Sequence, residues 1–134
     1  MAAVSDLSTL IRSMDPELLA NRYVFCTVPA HREPDTLAAS PFATVREAEG
    51  LSVVVTQASA EALGLPYDSV HRCITLRVHS SLTAVGLTAA VATALAEAGL
   101  SANVVAGHHH DHVFVPAEAA ERAVAVLRGL ACRH

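Results

Sequence analysis

The sequence predicts an α+β fold: antiparallel sheets with helices packed on one face, built as two interleaved modules. Three observations carry this. Residues 74–130 run through strand and helix signals in the order β-α-β-β-α. Residues 23–55 hold three further strand-like runs. The composition suits close helix–sheet packing, with 52% hydrophobic residues, abundant alanine and no Trp. At 134 residues the chain is one compact domain or two very small modules sharing a core.

DLSTLIRS (6–13) reads as a short helix, and DPE (15–17) as a turn or a second helix start. YVFCTV (23–28) is rich in aromatic and β-branched residues, the composition of a strand. PAHREPDTLAASP (29–41), with three prolines, reads as a loop. FATVRE (42–47) and LSVVV (51–55) are two strands joined at Ala48–Glu49–Gly50. SAEALG (59–64) is a brief helix with Ser59 as N-cap and Gly64 beyond its end. PYDSVHR (66–72) is a loop and the candidate boundary between modules 1–68 and 69–134.

In ITLRVH (74–79) Ile74, Leu76 and Val78 alternate with Thr75, Arg77 and His79, as in a half-buried strand. In the helix that follows, Leu87, Val91, Ala94, Leu95 and Ala98 share one face; Ser80 or Ser81 can cap it, and Gly99-Leu100 stops it. NVVA (103–106) and HVFV (112–115) are strands flanking a hairpin tip. Pro116 opens a last helix with Ala120, Val124 and Leu127 on its buried face. A ferredoxin-like βαββαβ module needs one more strand after that helix. Either 51–55 or 23–28 can supply it, which makes the modules interleaved and inseparable. A soluble 70–134 fragment that unfolds cooperatively would count against this.

Net charge is −4, with the nine arginines scattered and no lysine, so no basic stripe is available for nucleic acid and no Lys chemistry is possible. No apolar run approaches the ~18 residues of a membrane span, and no basic segment precedes an apolar one at the start. A soluble cytoplasmic protein is expected. Cys26, Cys73 and Cys132 lack CxxC spacing; Cys26 and Cys73 read as small core hydrophobes. Pairings of Cys26 or Cys73 with His71 or His79, or of Ser80 with His79, lack a nucleophile frame, so no enzyme and no cofactor are expected.

VHSSLTAVGLTAAVATALAEAGLSANVV (78–105) resembles the ACT domain, a small ligand-binding regulatory module. Gly86-Leu87 fills its helix-opening pair, and Ala96-Glu97-Ala98-Gly99 fills its helix-closing turn. With FATVREAEGLSVVV, ITLRVHSSL and HDHVFVP, the chain is similar to small stand-alone bacterial proteins with tandem ACT-like modules. The resemblance implies an ACT-type sandwich, with a reduced N-terminal module (1–68) and an ACT domain (69–134). It also implies binding of an amino-acid-type ligand, and a homodimer. The implied ligand loop is His79, Ser80, Ser81, Leu82, Thr83, Ala84, Val85 and Gly86, with Asn103 on the facing strand. The acidic residue that many amino-acid-binding relatives carry after the first strand is absent here.

A physical case stands beside the resemblance: helix N-terminal amides attract carboxylates, Gly86 clears the backbone, and Ser80, Ser81 and Thr83 supply hydroxyls. The blander reading is a serine that merely caps the helix.

AGHHHDH (106–112) is too far inside the chain to be a leftover purification tag. In strand geometry His108, His110 and His112 share a face and His109 and Asp111 the other. A metal held there, a hairpin structure and contact with a ligand all remain open, and the resemblance implies His110-Asp111-His112 as the family's part of the run. A partner-docking module without a small ligand is the alternative from another class.

Overall fold

The computed structural model describes residues 6–134; the first five residues of the start discussed above lie outside it. Six strands form an antiparallel sheet: β1 (Pro16–Val28), β2 (Ala43–Glu47), β3 (Gly50–Thr56), β4 (His71–Leu76), β5 (Asn103–Ala106) and β6 (Asp111–Pro116). Their order is β2-β3-β1-β4-β6-β5. Among the described residues the α-helices are α1 (Leu7–Arg12), α2 (Glu33–Ala38), α3 (Gln57–Leu63), α4 (Leu87–Glu97) and α5 (Ala120–Cys132). The chain divides into two compact units, one taking the chain up to Ala20 with Arg72–His134, the other Asn21–His71.

In the first unit the order β4-α4-β5-β6-α5 is completed by the beginning of β1, the neighbour of β4 in the sheet. The Arg72 guanidinium donates to the Leu19 carbonyl at 2.8 and 3.1 Å. Neither strand the sequence offered fills this place: the residues that complete the first unit, up to Ala20, precede 23–28 on β1, and 23–28 belongs to the second unit. This first part of β1 was hidden because Pro16–Arg22 has no two-residue burial rhythm: Pro16 is buried, Leu18 and Leu19 are half-buried, and Ala20–Arg22 are exposed. DPE is therefore no helix start. Asp15 takes a turn conformation at φ 45°, and Pro16 sits at a strand's first residue, where its missing N–H is tolerated.

Asp6 caps α1 by accepting from the Thr9 backbone N–H at 3.0 Å, and Leu10, Ile11 and Met14 enter the core. There they join Leu87, Val91 and Leu95 of α4, and Ala120, Ala123, Val124, Leu127 and Leu130 of α5. Each large aliphatic side chain fully buried here stabilises the fold by roughly 1.5–3 kcal/mol.

β4 begins and ends three residues earlier than the alternation suggested. Cys73, Ile74, Thr75 and Leu76 are all buried, so the polar–apolar rhythm does not mark an outer face. The strand stops because the Arg77 N–H turns to the Met14 carbonyl at 2.7 Å. α4 stops as expected: Gly99 is left-handed, and the Leu100 N–H reaches back to the Leu95 carbonyl at 2.9 Å.

In the second unit β1 pairs with β3 in a register that sets Val24 opposite Val55, Cys26 opposite Val53 and Val28 opposite Leu51. These residues, with Ala60 and Leu65, form its core. The stretch read as a loop instead folds into a 3-10 turn (Ala30–Arg32) and α2. Pro34 lies in the first turn of α2, where proline favours a helix rather than breaking it. Thr36 is fully buried and donates to the Arg32 carbonyl at 2.9 Å. α3 starts two residues before the expected position; its cap is Thr56, which accepts from the Ser59 N–H at 3.1 Å. Gly64 ends it as expected.

Candidate ligand site

Ten residues, 77–86, carry the chain from β4 to α4. Val78 is buried and anchors the loop. The Ser81 hydroxyl accepts from the Thr83 N–H at 3.2 Å and meets the Thr83 hydroxyl at 2.9 Å, while the Ala84 N–H donates to the Ser81 carbonyl at 3.0 Å. Ser81 thus builds the loop's own turn, and neither serine caps α4. The N-cap is Gly86, at φ 108° and with no side-chain cap hydrogen bond. That φ lies in territory most side chains avoid, and a Cβ there would stand 3.0 Å from Leu7 Cδ2. The first amides of α4 have no intrahelical acceptor.

Beside this helix start lies a cavity of about 180 Å³. Ser80, Ser81, Leu82, Ala84 and Gly86 line it from the loop, Leu87 and Thr88 from α4, and Ala106 and Asp111 from the β5–β6 hairpin. Of the residues proposed from sequence, Ser80, Ser81, Leu82 and Gly86 converge. Thr83 is tied to Ser81 outside the lining, and Val85 is 82% exposed. His79 belongs to a neighbouring depression with Arg77, His109 and His110. Asn103 is exposed at the far end of β5 from Ala106, about 10 Å along the strand, and does not line the cavity.

Asp111 is the residue that sequence reasoning missed. As the first residue of β6, paired with Ala106, it brings the only charged side chain to this cavity lining. Burial pushes its carboxyl above the usual carboxylate range, with His112 and His110 opposing. The signal was present in HDH, where ligand contact was left open beside hairpin and metal readings without singling out Asp111.

The histidines do not keep strand alternation, because residues 107–110 form the hairpin turn, closed by the Gly107 N–H on the His110 carbonyl at 2.9 Å. His110 Nδ1 lies 3.2 Å from the Val78 carbonyl, and His112 Nδ1 lies 3.0 Å from the Thr75 hydroxyl. His109 packs edge-on against His79 and His108, with ring centroids 5.1 and 4.9 Å away. Among the described residues no group of three or more His, Cys, Asp or Glu is arranged to hold a metal ion. The three cysteines are free; burial raises the Cys26 thiol and pushes Cys73 up to about 11, away from thiolate chemistry.

Two βαββα units, one carrying a strand-to-helix loop over a small polar cavity, define a tandem ferredoxin-like α+β protein. ACT domain family models match residues 2–72 and 68–129. The chain belongs to the ACT domain family.

It is 50% identical to VC0802 of Vibrio cholerae, a protein of unknown function described as a possible transport protein. The match covers 93% of this chain and 95% of that one, with a TM-score of 0.84. Atu0741 of Agrobacterium tumefaciens shares 18% identity over 87% of both chains, with a TM-score of 0.67. The ligand-free regulatory subunit of aspartate kinase from Thermus thermophilus shares 12%, over 88% and 97%, at 0.65. These last two show the fold alone. No curated protein matches the chain significantly. Among the described residues no helix is long and apolar enough to cross a membrane.

Proposed function

We propose that the protein is a non-enzymatic, cytoplasmic ACT-class sensor that binds a small amino acid beside α4 and works as a homodimer. The observation that carries this reading is the polarity of the cavity. On one side stand the uncapped helix start and the hydroxyls of Ser80, Ser81 and Thr88, a donor set for a carboxylate. On the other stands the Asp111 carboxylate, the complement of an ammonium group. A zwitterion carries both charges a few bonds apart. Asp111 supplies, from the hairpin, the acidic residue missing from the loop.

A volume of about 180 Å³ falls below the ~300–1,000 Å³ of sites for drug-sized ligands, which favours a short side chain. Leu82 and Val85, 67% and 82% exposed, offer apolar surface for a second copy to cover. Three unpaired cysteines accord with a reducing compartment.

Thermal-shift and calorimetric titration with glycine, alanine, serine and threonine tests the reading, with acetate and methylamine as one-charge controls. A ligand at one hundred times its Kd stabilises the fold by about 2.7 kcal/mol. Asp111→Asn is expected to weaken amino-acid binding by roughly tenfold or more, the loss of a charge-assisted contact. If no amino acid moves the melting temperature, the sensing role fails, and a partner-docking module becomes the better account. Sedimentation velocity on the same samples checks the dimer; a monomer at every concentration removes it.

A further inference from the structure

The histidine run has no role in the amino-acid cavity beyond Asp111, yet it builds a concavity of its own. We propose that Arg77, His79, His109 and His110 form a second site, on the other flank of the same loop and hairpin, that takes a phosphate-type oxyanion. These four residues line a depression of about 360 Å³. On a chain with net charge −4 and otherwise scattered arginines, this concavity gathers one guanidinium and three imidazoles, and it gains positive potential as the imidazoles are protonated.

Each member is held in place by something visible. Arg77 has its backbone N–H on the Met14 and Asp15 carbonyls at 2.7 and 3.3 Å, and Glu17 Oε1 lies 3.5 Å from its Nη1. That contact orients one edge of a guanidinium with five donors. The Val78 carbonyl only accepts, so at 3.2 Å His110 Nδ1 carries the hydrogen and the ring's orientation is fixed. Nε2 becomes a second donor when the ring is protonated. His79 and His109 meet edge to face at 5.1 Å, and His108 continues the stack, which gathers imidazoles along one wall.

The charges near the group are Glu17 on Arg77, Asp111 following His110, His112 beyond it, and Asp15 and Arg128, which line a neighbouring depression with Arg77 and Glu17. Burial is the main cause that lowers the proton affinity of His112; His110 and Arg77 lower it further, and Asp111 opposes them. A guanidinium fork with imidazole donors suits an anion with several oxygens and repels a metal cation. This account gives His108 and His109 a purpose that the amino-acid site does not.

The test titrates the full-length chain with inorganic phosphate and, in a second arm, glycerol 3-phosphate, at constant ionic strength balanced with chloride. Histidine ring-proton NMR shifts provide the readout near pH 6 and near pH 8, the range across which imidazoles gain or lose charge. Saturable shifts confined to His79, His109 and His110, weakening by roughly tenfold or more at the higher pH, are expected. Arg77→Gln and the double variant His79→Gln/His109→Gln, at accessible positions, should each weaken binding by roughly tenfold while the melting temperature holds. Binding of either phosphate supports the site, and tighter glycerol 3-phosphate identifies a monoester as its ligand. Absence of saturation, shifts reproduced by chloride alone, or wild-type affinity in Arg77→Gln overturns it. Asp111→Asn should spare phosphate binding, so this result and the amino-acid result can fail separately.

Discussion

Between β1 and α2 the chain spends four residues, 29–32; between β4 and α4 it spends ten, 77–86. The two junctions occupy the same place in their βαββα units and differ in what surrounds them. The short one is tied down by side chains around it: Thr36 donates to the Arg32 carbonyl, Arg32 to the Leu63 carbonyl, and Glu33 pairs with Arg46 at 2.9 Å, although α2, like α4, has no side-chain cap. The long one ties Ser81 to Thr83 within its own turn, leaves α4 without a side-chain cap and borders a cavity. The difference lies in what borders each helix start, side-chain ties at the short junction and a cavity at the long one. Composition differs as well: residues 29–32 carry His31 and Arg32 but no hydroxyl, while 77–86 carry Ser80, Ser81 and Thr83.

The largest expected effect comes from closing the open junction by force. Gly86→Val puts a β-branched residue at φ 108° and a Cβ 3.0 Å from Leu7 Cδ2. The backbone strain and the displaced Leu7 together cost roughly 2–4 kcal/mol, read by urea unfolding, and the amino-acid thermal shift should vanish with it. Wild-type stability in this variant would mean that the loop reshapes freely, and the contrast between the junctions would lose its basis. Thr36→Val should cost about 1 kcal/mol, because it deletes a buried hydrogen bond without changing shape. It should leave amino-acid binding untouched, and a change there would show that the short junction is not passive.

Much of the C-terminal unit was legible because α4 and α5 are long enough to repeat their pattern: Leu87, Val91 and Leu95 mark a buried face without ambiguity. The shorter elements were not. Six residues of α2 give no period, and its prolines spoke for a loop until Pro34 proved to be a helix start. The first half of β1 shows no alternation, since what defines it is the strand beside it in the sheet. The site was half readable. Ser80, Ser81, Leu82 and Gly86 are consecutive enough for the loop to be recognised, but Asp111 reaches the cavity only through hairpin register, with Ala106 opposite. Register is a long-range property that neighbouring letters do not state.

The smallest effect is the most diagnostic, because the carboxyls near the two junctions are perturbed in opposite directions. Glu33 is held below the usual carboxylate range by Arg46, so its contribution is present at neutral pH and fades as pH falls through its folded value. Asp111 is pushed upward by burial: the folded state holds its proton more tightly than the unfolded chain does. Its contribution is therefore fullest below the ordinary carboxyl value of 3.8 and is lost as pH rises through the folded value, so at neutral pH the ionised group is a burden. Asp111→Asn should melt slightly higher than wild type near pH 7, with the gain shrinking on acidification as the wild-type carboxyl takes up its proton. His112 reinforces the trend. Burial favours its neutral form, a contribution lost as pH falls below 6.5, and Asp111 opposes that loss, so the variant suffers it more. A variant less stable at every pH would make Asp111 a structural anchor, like Glu33. A variant that is more stable yet blind to amino acids marks a carboxylate kept at a cost for the ligand it awaits.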